Sequence, residues 1–246
     1  MSFFTFVNQS SNQMAIIKFS AMVSDVRGTI GGNVFSRNKG GSYVRTYVKP
    51  NNPKTTAQAA VRSLFGALAS AWRSLTQAQR NAWNAIVDQY PYQDKLGNSK
   101  IYSGEQLYIK LNSNLNAAGL PQLVEPIIPV SFPSFAMSEA SVSATAGEAF
   151  AQTLFNGSAE VPAGFSYIVE ATDNLSVGID APQRGLFKQI AVLAETKDTS
   201  AENIYARYTA VFGAPQIGSK VFYRGRLVSE LSGEASTFAQ AACIVA

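Results

Sequence analysis

The residues whose types could do chemistry are mostly basic and aromatic. Arg27, Arg37, Lys39, Arg45 and Lys49 crowd one stretch, with Tyr43 and Tyr47 between them. Cations interleaved with rings can track phosphates and stack bases. They can equally dock an acidic surface or form a solvated face. Arg27, Arg37, Tyr43, Arg45, Tyr47 and Lys49 are therefore the candidate interface residues, read here as an assembly surface. No recognised nucleic-acid motif surrounds them.

Other chemistries find little to work with. The chain has no histidine and one cysteine, Cys243. Ser–His and Cys–His activation both need imidazole, and zinc sites favour Cys and His ligands. A disulfide framework within the chain is excluded. Cys243 sits in an apolar run and reads as a small buried hydrophobe. The cluster Gly28-Thr29-Ile30-Gly31-Gly32 has the letters of a phosphate cradle, but a P-loop needs Gly-Lys-Ser/Thr opening a helix, and this one opens a strand. Lys39-Gly40-Gly41-Ser42 has similar letters in the wrong order. Asp25, Asp88, Asp94, Glu105 and Glu125 show no pairing suited to glycosidase chemistry. Asp173, Asp180 and Asp198 fall near expected turns, without the dense Asp/Asn alternation of a calcium loop. No catalytic residue, metal ligand or cofactor is expected, and the chain reads as a non-enzyme.

Charge divides along the chain. Residues 1–130 hold thirteen Lys/Arg against five Asp/Glu, and residues 131–246 hold seven against eleven. Such asymmetry suggests two units with different partners. Apolar residues make up 46% and charged residues 15%, enough to build a core. No apolar run is long enough to span a bilayer, and Met1–Gln13 lacks the basic and apolar regions of a secretory signal, so no membrane association is expected. That short aromatic tail is expected to lie against a partner, such as a neighbouring subunit.

The elements that must position the basic residues are strands. Ile16–Phe19 is a short apolar strand. Asn38-Lys39-Gly40-Gly41 is a turn signal, and Ser42–Lys49 alternates with Tyr43, Arg45, Tyr47 and Lys49 on one face, so 33–49 reads as a hairpin. The period then changes. Thr55-Thr56-Ala57-Gln58, Thr76-Gln77-Ala78-Gln79 and Ser103-Gly104-Glu105-Gln106 are capping boxes, each ahead of an apolar stripe. The first stripe is Val61, Phe65, Leu68 and Trp72; the second holds Trp83, Ile86, Val87 and Tyr90; the third holds Leu107, Leu111, Leu115 and Ala118. Trp72 and Trp83 are expected to face the core of a helical hairpin. Residues 120–135 carry Pro121, Pro126, Pro129 and Pro133 and read as an extended connector, with the domain boundary near residue 130. Beyond it, strands are expected at Ser141–Ala146, Phe150–Asn156, Phe165–Thr172, Lys188–Leu193, Tyr205–Phe212, Ser219–Ser229 and Phe238–Val245. The expected class is α+β: a β-hairpin and three-helix unit over 1–130, then an all-β immunoglobulin-like or fibronectin-like sandwich over 131–246.

Several stretches carry a resemblance: Gly28-Thr29-Ile30-Gly31-Gly32-Asn33-Val34-Phe35-Ser36-Arg37, Asn52-Pro53-Lys54-Thr55-Thr56-Ala57-Gln58 and Trp72-Arg73-Ser74-Leu75-Thr76-Gln77-Ala78-Gln79-Arg80-Asn81-Ala82-Trp83, with Leu111-Asn112-Ser113-Asn114-Leu115 further on. Together they resemble small proteins encoded in structural gene clusters of tailed phages and prophages, several from hosts of the Bacteroidetes group. The segment Lys220–Val228 resembles a late strand of a fibronectin type III module. The resemblance implies a virion location and a structural role on head or tail. Homo-oligomers, capsid, portal or tail proteins, and packaged DNA are the implied partners. A nucleic-acid-binding module and a bacterial surface adhesin are the competing expectations.

Overall fold

In the computed structural model, residues 14–17, 25–38, 41–49, 52–94 and 97–246 are described. The chain divides into two compact units, Met1–Thr56 and Ala57–Ala246. The class is mixed α+β with antiparallel sheets.

The first unit is a four-stranded sheet. Its strands are β1 (Met14–Ile16), β2 (Gly28–Ile30), β3 (Asn33–Asn38) and β4 (Gly41–Thr46), in the order β1-β4-β3-β2. The expected hairpin is β3–β4, which pairs from Asn33↔Thr46 to Asn38↔Gly41. Gly31 and Gly32 turn β2 into β3 with φ of 56° and 81°, a region that glycine enters without steric cost. Of the expected strand Ile16–Phe19, Ile16 lies in β1 and Phe19 lies outside the described residues, as do the tail Met1–Gln13 and Lys39.

The second unit opens with helices α1 (Thr56–Ser74), α2 (Gln77–Ile86) and α3 (Gly104–Ala118), with a short strand pair β5 (Tyr92–Gln93) and β6 (Ser99–Lys100) between the last two. Two capping boxes close as the sequence requires. Gln79 N–H donates to Thr76 Oγ1 and Thr76 N–H returns to the Gln79 side chain; Ser103 and Gln106 repeat the exchange. Gly119, with φ of 74°, ends α3 in a left-handed cap. Leu75, Trp83, Tyr90, Leu107, Tyr108 and Leu111 form the helical core, where Trp83 meets Tyr108 edge-on at 5.3 Å.

Then come β7 (Phe135–Ser143), β8 (Glu148–Phe155), β9 (Phe165–Ala171), β10 (Lys188–Leu193), α4 (Tyr205–Phe212), β11 (Lys220–Ser229) and β12 (Ala239–Ile244). One sheet runs β10-β9-β11-β12 and the other is β7-β8. Both contribute to a single core with Phe155, Tyr167, Tyr208, Tyr223 and Leu227 at its centre. Near their C-terminal ends β7 and β12 meet in a parallel bridge: Ala246 N–H donates to Val142 O at 3.0 Å, and Ala144 N–H to Ala246 O at 2.8 Å.

Two expectations are corrected. Tyr205–Phe212 is a helix, not a strand. Ile204, Tyr208 and Phe212 recur every fourth residue, Tyr208 is fully buried, and the Asn203 side-chain oxygen receives the Tyr205 N–H at 2.9 Å. A short apolar run satisfies both periods, and here packing decides. The division expected near residue 130 instead falls at Thr56/Ala57, and residues 120–135 lie inside the second unit. The proline-rich stretch is extended but clamped. Trp83 Nε1 donates to Val124 O at 2.9 Å, and Tyr90 Oη to Ile127 O at 2.7 Å. Buried Asn112 donates to Leu123 O at 3.3 Å and accepts the Leu123 N–H at 2.7 Å. On the other side Val130 N–H reaches Glu234 Oε2 at 2.7 Å. Helix α3 also locks onto the sheet region, with Asn114 Nδ2 on Gly233 O and Gln189 Nε2 on Ala117 O, both at 2.9 Å.

Candidate assembly surface

Cross-strand partners point to the same side of a sheet, and neighbours along a strand to opposite sides. Tyr43 pairs with Ser36, Arg45 with Val34, and Val34 with Thr29, so these share one face. Arg37 pairs with Ser42 and stands on the other face, alongside Phe35 and Val44, which pair with each other. Tyr47 follows β4; its N–H donates to Gly32 O at 2.7 Å and its side chain is 60% exposed. Lys49 is exposed beyond the strand. Arg27 precedes β2, and its Nε lies 2.9 Å from Asp25 Oδ2 in an exposed ion pair.

The structure therefore gathers all six candidate residues in the first unit but not into one stripe. Tyr43 and Arg45 share a face, Arg37 is opposite, and Arg27 has an acidic neighbour. Residues 1–56 nevertheless hold seven Lys/Arg against the single Asp25. No described side chain of this sheet is buried; Phe35, Val34, Tyr43 and Val44 are only partly covered, and Ile30 is 65% exposed. An ordinary sheet packs at least one face on a core. This one presents apolar and basic side chains on both.

A second surface escaped sequence reasoning. On β11, Val221, Tyr223 and Leu227 go to the core, and Phe222, Arg224, Arg226 and Val228 to the opposite face. Ala118 of α3 covers Val228 and Ile168 there. Beside them Arg224 bonds Glu170 through Nε at 2.7 Å and Nη2 at 2.5 Å. Its guanidinium sits 4.0 Å from the Phe187 ring centre and 4.4 Å from that of Phe238, with Arg226 at 5.3 Å from Phe238. The basic–aromatic alternation at Lys220–Val228 signalled the strand, but Phe187 and Phe238 come from distant segments. Arg226 is held below the usual arginine range by burial.

The third surface is on α1. Leu68 is buried and Trp72 meets Tyr108 in a tilted ring pair at 5.5 Å, yet Val61 is 55% and Phe65 50% exposed. The stripe read as facing inward is covered only in its second half.

Two clefts accompany these surfaces. One, of about 220 Å³, lies between β7 and β12 and is lined by Ser141, Glu148, Phe150 and Cys243. Burial pushes the Cys243 thiol up to about 11, away from the thiolate that a nucleophile needs. The other, of about 430 Å³, is framed by Asn174–Val177 and Gln216–Ser219. Among the described residues no group of His, Cys, Asp and Glu could hold a metal ion, and no helix is long and apolar enough to cross a membrane. No family model, curated protein or solved structure matches the chain.

Proposed function

We propose that this chain is a non-catalytic structural component of a tailed-bacteriophage virion, anchored through its first unit and presenting an immunoglobulin-like β-sandwich with the second. One observation carries the reading: the basic sheet of the first unit has no buried side chain among its described residues. Apolar groups left in water on both faces favour burial against another protein.

The sandwich reading is supported by strand order. Four strands in the order β10-β9-β11-β12 match the C′-C-F-G sheet of immunoglobulin-type modules, and β7-β8 match A and B. In this assignment α4 and the segment before it stand where strand E would run. The parallel bridge of Ala246 to β7 fits a first strand that crosses to the last.

The split of Arg37 from Arg45 counts against a phosphate-tracking groove, which needs its cations on one side. Quantitative mass spectrometry of purified particles, from a phage encoding the chain, tests the proposal. A copy number near that of the major capsid protein fits a head-lattice role, and a small ring-sized number fits a tail or vertex role. Absence from particles overturns it.

A further inference from the structure

The outer face of β11 leaves one cation unmatched. Arg224 is complete: Glu170 takes its Nε and Nη2, and the Phe187 and Phe238 rings lie against its guanidinium. Arg226, two residues on and on the same face, has no such partner. Its Nε is buried without an acceptor, and among the described residues it makes no hydrogen bond and no ion pair. Apolar groups seal that side. Ile168 stands opposite on β9, Val228 follows on β11, and Ala118 of α3 packs on both. Toward β12 the Phe238 ring lies 5.3 Å from the guanidinium carbon. There Arg226 is only partly covered, Phe238 is 44% exposed and Gln240 is exposed, so an anion can reach the fork from that side. A cation held this way costs stability until an opposite charge meets it.

We infer that Arg226 and Phe238 form a binding site for a single carboxylate carried on an apolar body, either a free acid or an acidic side chain of a protein segment. The planar guanidinium fork matches a carboxylate with two hydrogen bonds. The open Phe238 ring offers the apolar body a surface to lie on. A nucleic acid fits less well. Glu170 stands on the same face, and Glu230 reaches it by accepting from Ser166 Oγ at 2.7 Å. Those carboxylates would repel the further charges of a polyanion, whereas one unmatched cation takes one anion.

The site stands apart from the virion reading. Absence of the chain from particles would leave it untouched, and failure to bind carboxylates would leave the virion role standing. The test titrates the full chain with hexanoate and with the blocked peptide acetyl-Leu-Glu-Leu-amide, against chloride at equal ionic strength. By NMR, the Arg226 Nε–Hε and Gln240 amide signals should shift saturably with a carboxylate and not with chloride or the glutamine peptide acetyl-Leu-Gln-Leu-amide. Tighter binding of the glutamate peptide assigns the site to a protein segment, and tighter hexanoate assigns it to a free acid. Arg226→Lys should bind roughly tenfold more weakly, because an ammonium is a point charge without the fork. Arg226→Met should abolish the Gln240 shift. Its urea midpoint should nevertheless match or exceed that of the wild type, since an unmatched, partly buried charge gives way to an apolar chain. An arginine kept for structure would leave that variant less stable. The site is overturned if Arg226 Nε–Hε ignores both carboxylates, if Arg226→Met binds as well as the wild type, or if Arg226→Met unfolds at lower urea. A stronger response to a thymidine oligonucleotide would overturn the choice of a carboxylate.

Discussion

Two glycines show how the same substitution can change sign with its surroundings. Gly225 sits on β11 directly over Tyr167, and a Cβ there would overlap the tyrosine ring and hydroxyl. Tyr167 is fully buried and hydrogen-bonded to Thr153 Oγ1 at 2.7 Å, so it cannot retreat without emptying the core. Gly225→Ala should cost about 1–3 kcal/mol, as overpacking does. Gly66 in α1 has open space around its Cβ position. Gly66→Ala should add about 0.5–1 kcal/mol of helix stability. Urea denaturation of the two variants checks both signs. The buried acids make a further prediction. Burial raises the Cys243 thiol from 9.0 to about 11 and the Tyr167 hydroxyl from 10.0 to about 12. Each group loses its proton more readily in the unfolded chain, so its contribution is complete below the unfolded value and is lost as pH rises through the folded one. The urea midpoint should therefore hold to about pH 9 and fall between pH 9 and 12, and Cys243→Ala should flatten the start of that fall. A midpoint flat to pH 12 would contradict this account.

Among the described strands, β8 has β7 on one edge and none on the other, and an open edge invites foreign pairing. Side chains close it instead. The Thr199 hydroxyl accepts the Thr153 N–H at 3.1 Å and shares its one proton between the carbonyls of Thr153 and Ala159, each 2.9 Å away. Asn203 Oδ1 accepts the Ala149 N–H at 3.1 Å, and Ile204 N–H returns to Ala149 O at 2.9 Å. Thr199→Val keeps the shape and strands the buried Thr153 amide, so it should cost about 1–3 kcal/mol. Hydrogen exchange at the Thr153 amide should quicken with it, and unchanged protection would refute the capping role. This device also explains what the sequence could show. The two observed capping boxes were legible because Thr76–Gln79 and Ser103–Gln106 bond within one turn. The helix at Tyr205–Phe212 was not, because its N-cap Ile204 offers no side-chain cap and its core contacts come from distant segments. The same limit applies to the basic surface. Alternation placed Tyr43 and Arg45 together, but Arg37 could be assigned a face only from the pairing register across the hairpin.

Where the chain divides has the same origin. Four prolines in residues 120–135 look like a linker, and nothing local announces that Trp83, Tyr90 and Asn112 hold the backbone there. Gly233 makes the lock specific. Its φ of 70° suits glycine, and a Cβ would stand 2.6 Å from Leu111 O, so the turn after β11 can press against α3 only without a side chain. Proteolysis separates the two views of the chain. Gln122 is exposed in the proline-rich stretch, and Gln122→Glu gives a glutamate-specific protease a bond to cut before Leu123, whereas Pro126 blocks cleavage after Glu125. Were residues 120–135 a free linker, the nick would release the helices from the sheets. With the clamps on both sides, the nicked pieces should stay together through gel filtration and part only in denaturant. Asn112→Leu removes the bonds to both backbone groups of Leu123, so it should quicken the nick and loosen the pieces. Lys54 is exposed near the Thr56/Ala57 division and is followed by Thr55, so trypsin should cut there early and leave the clamped second unit in one piece. Separation of the helices from the sheets after that nick, without denaturant, would restore the boundary near residue 130 and dismiss the interlock.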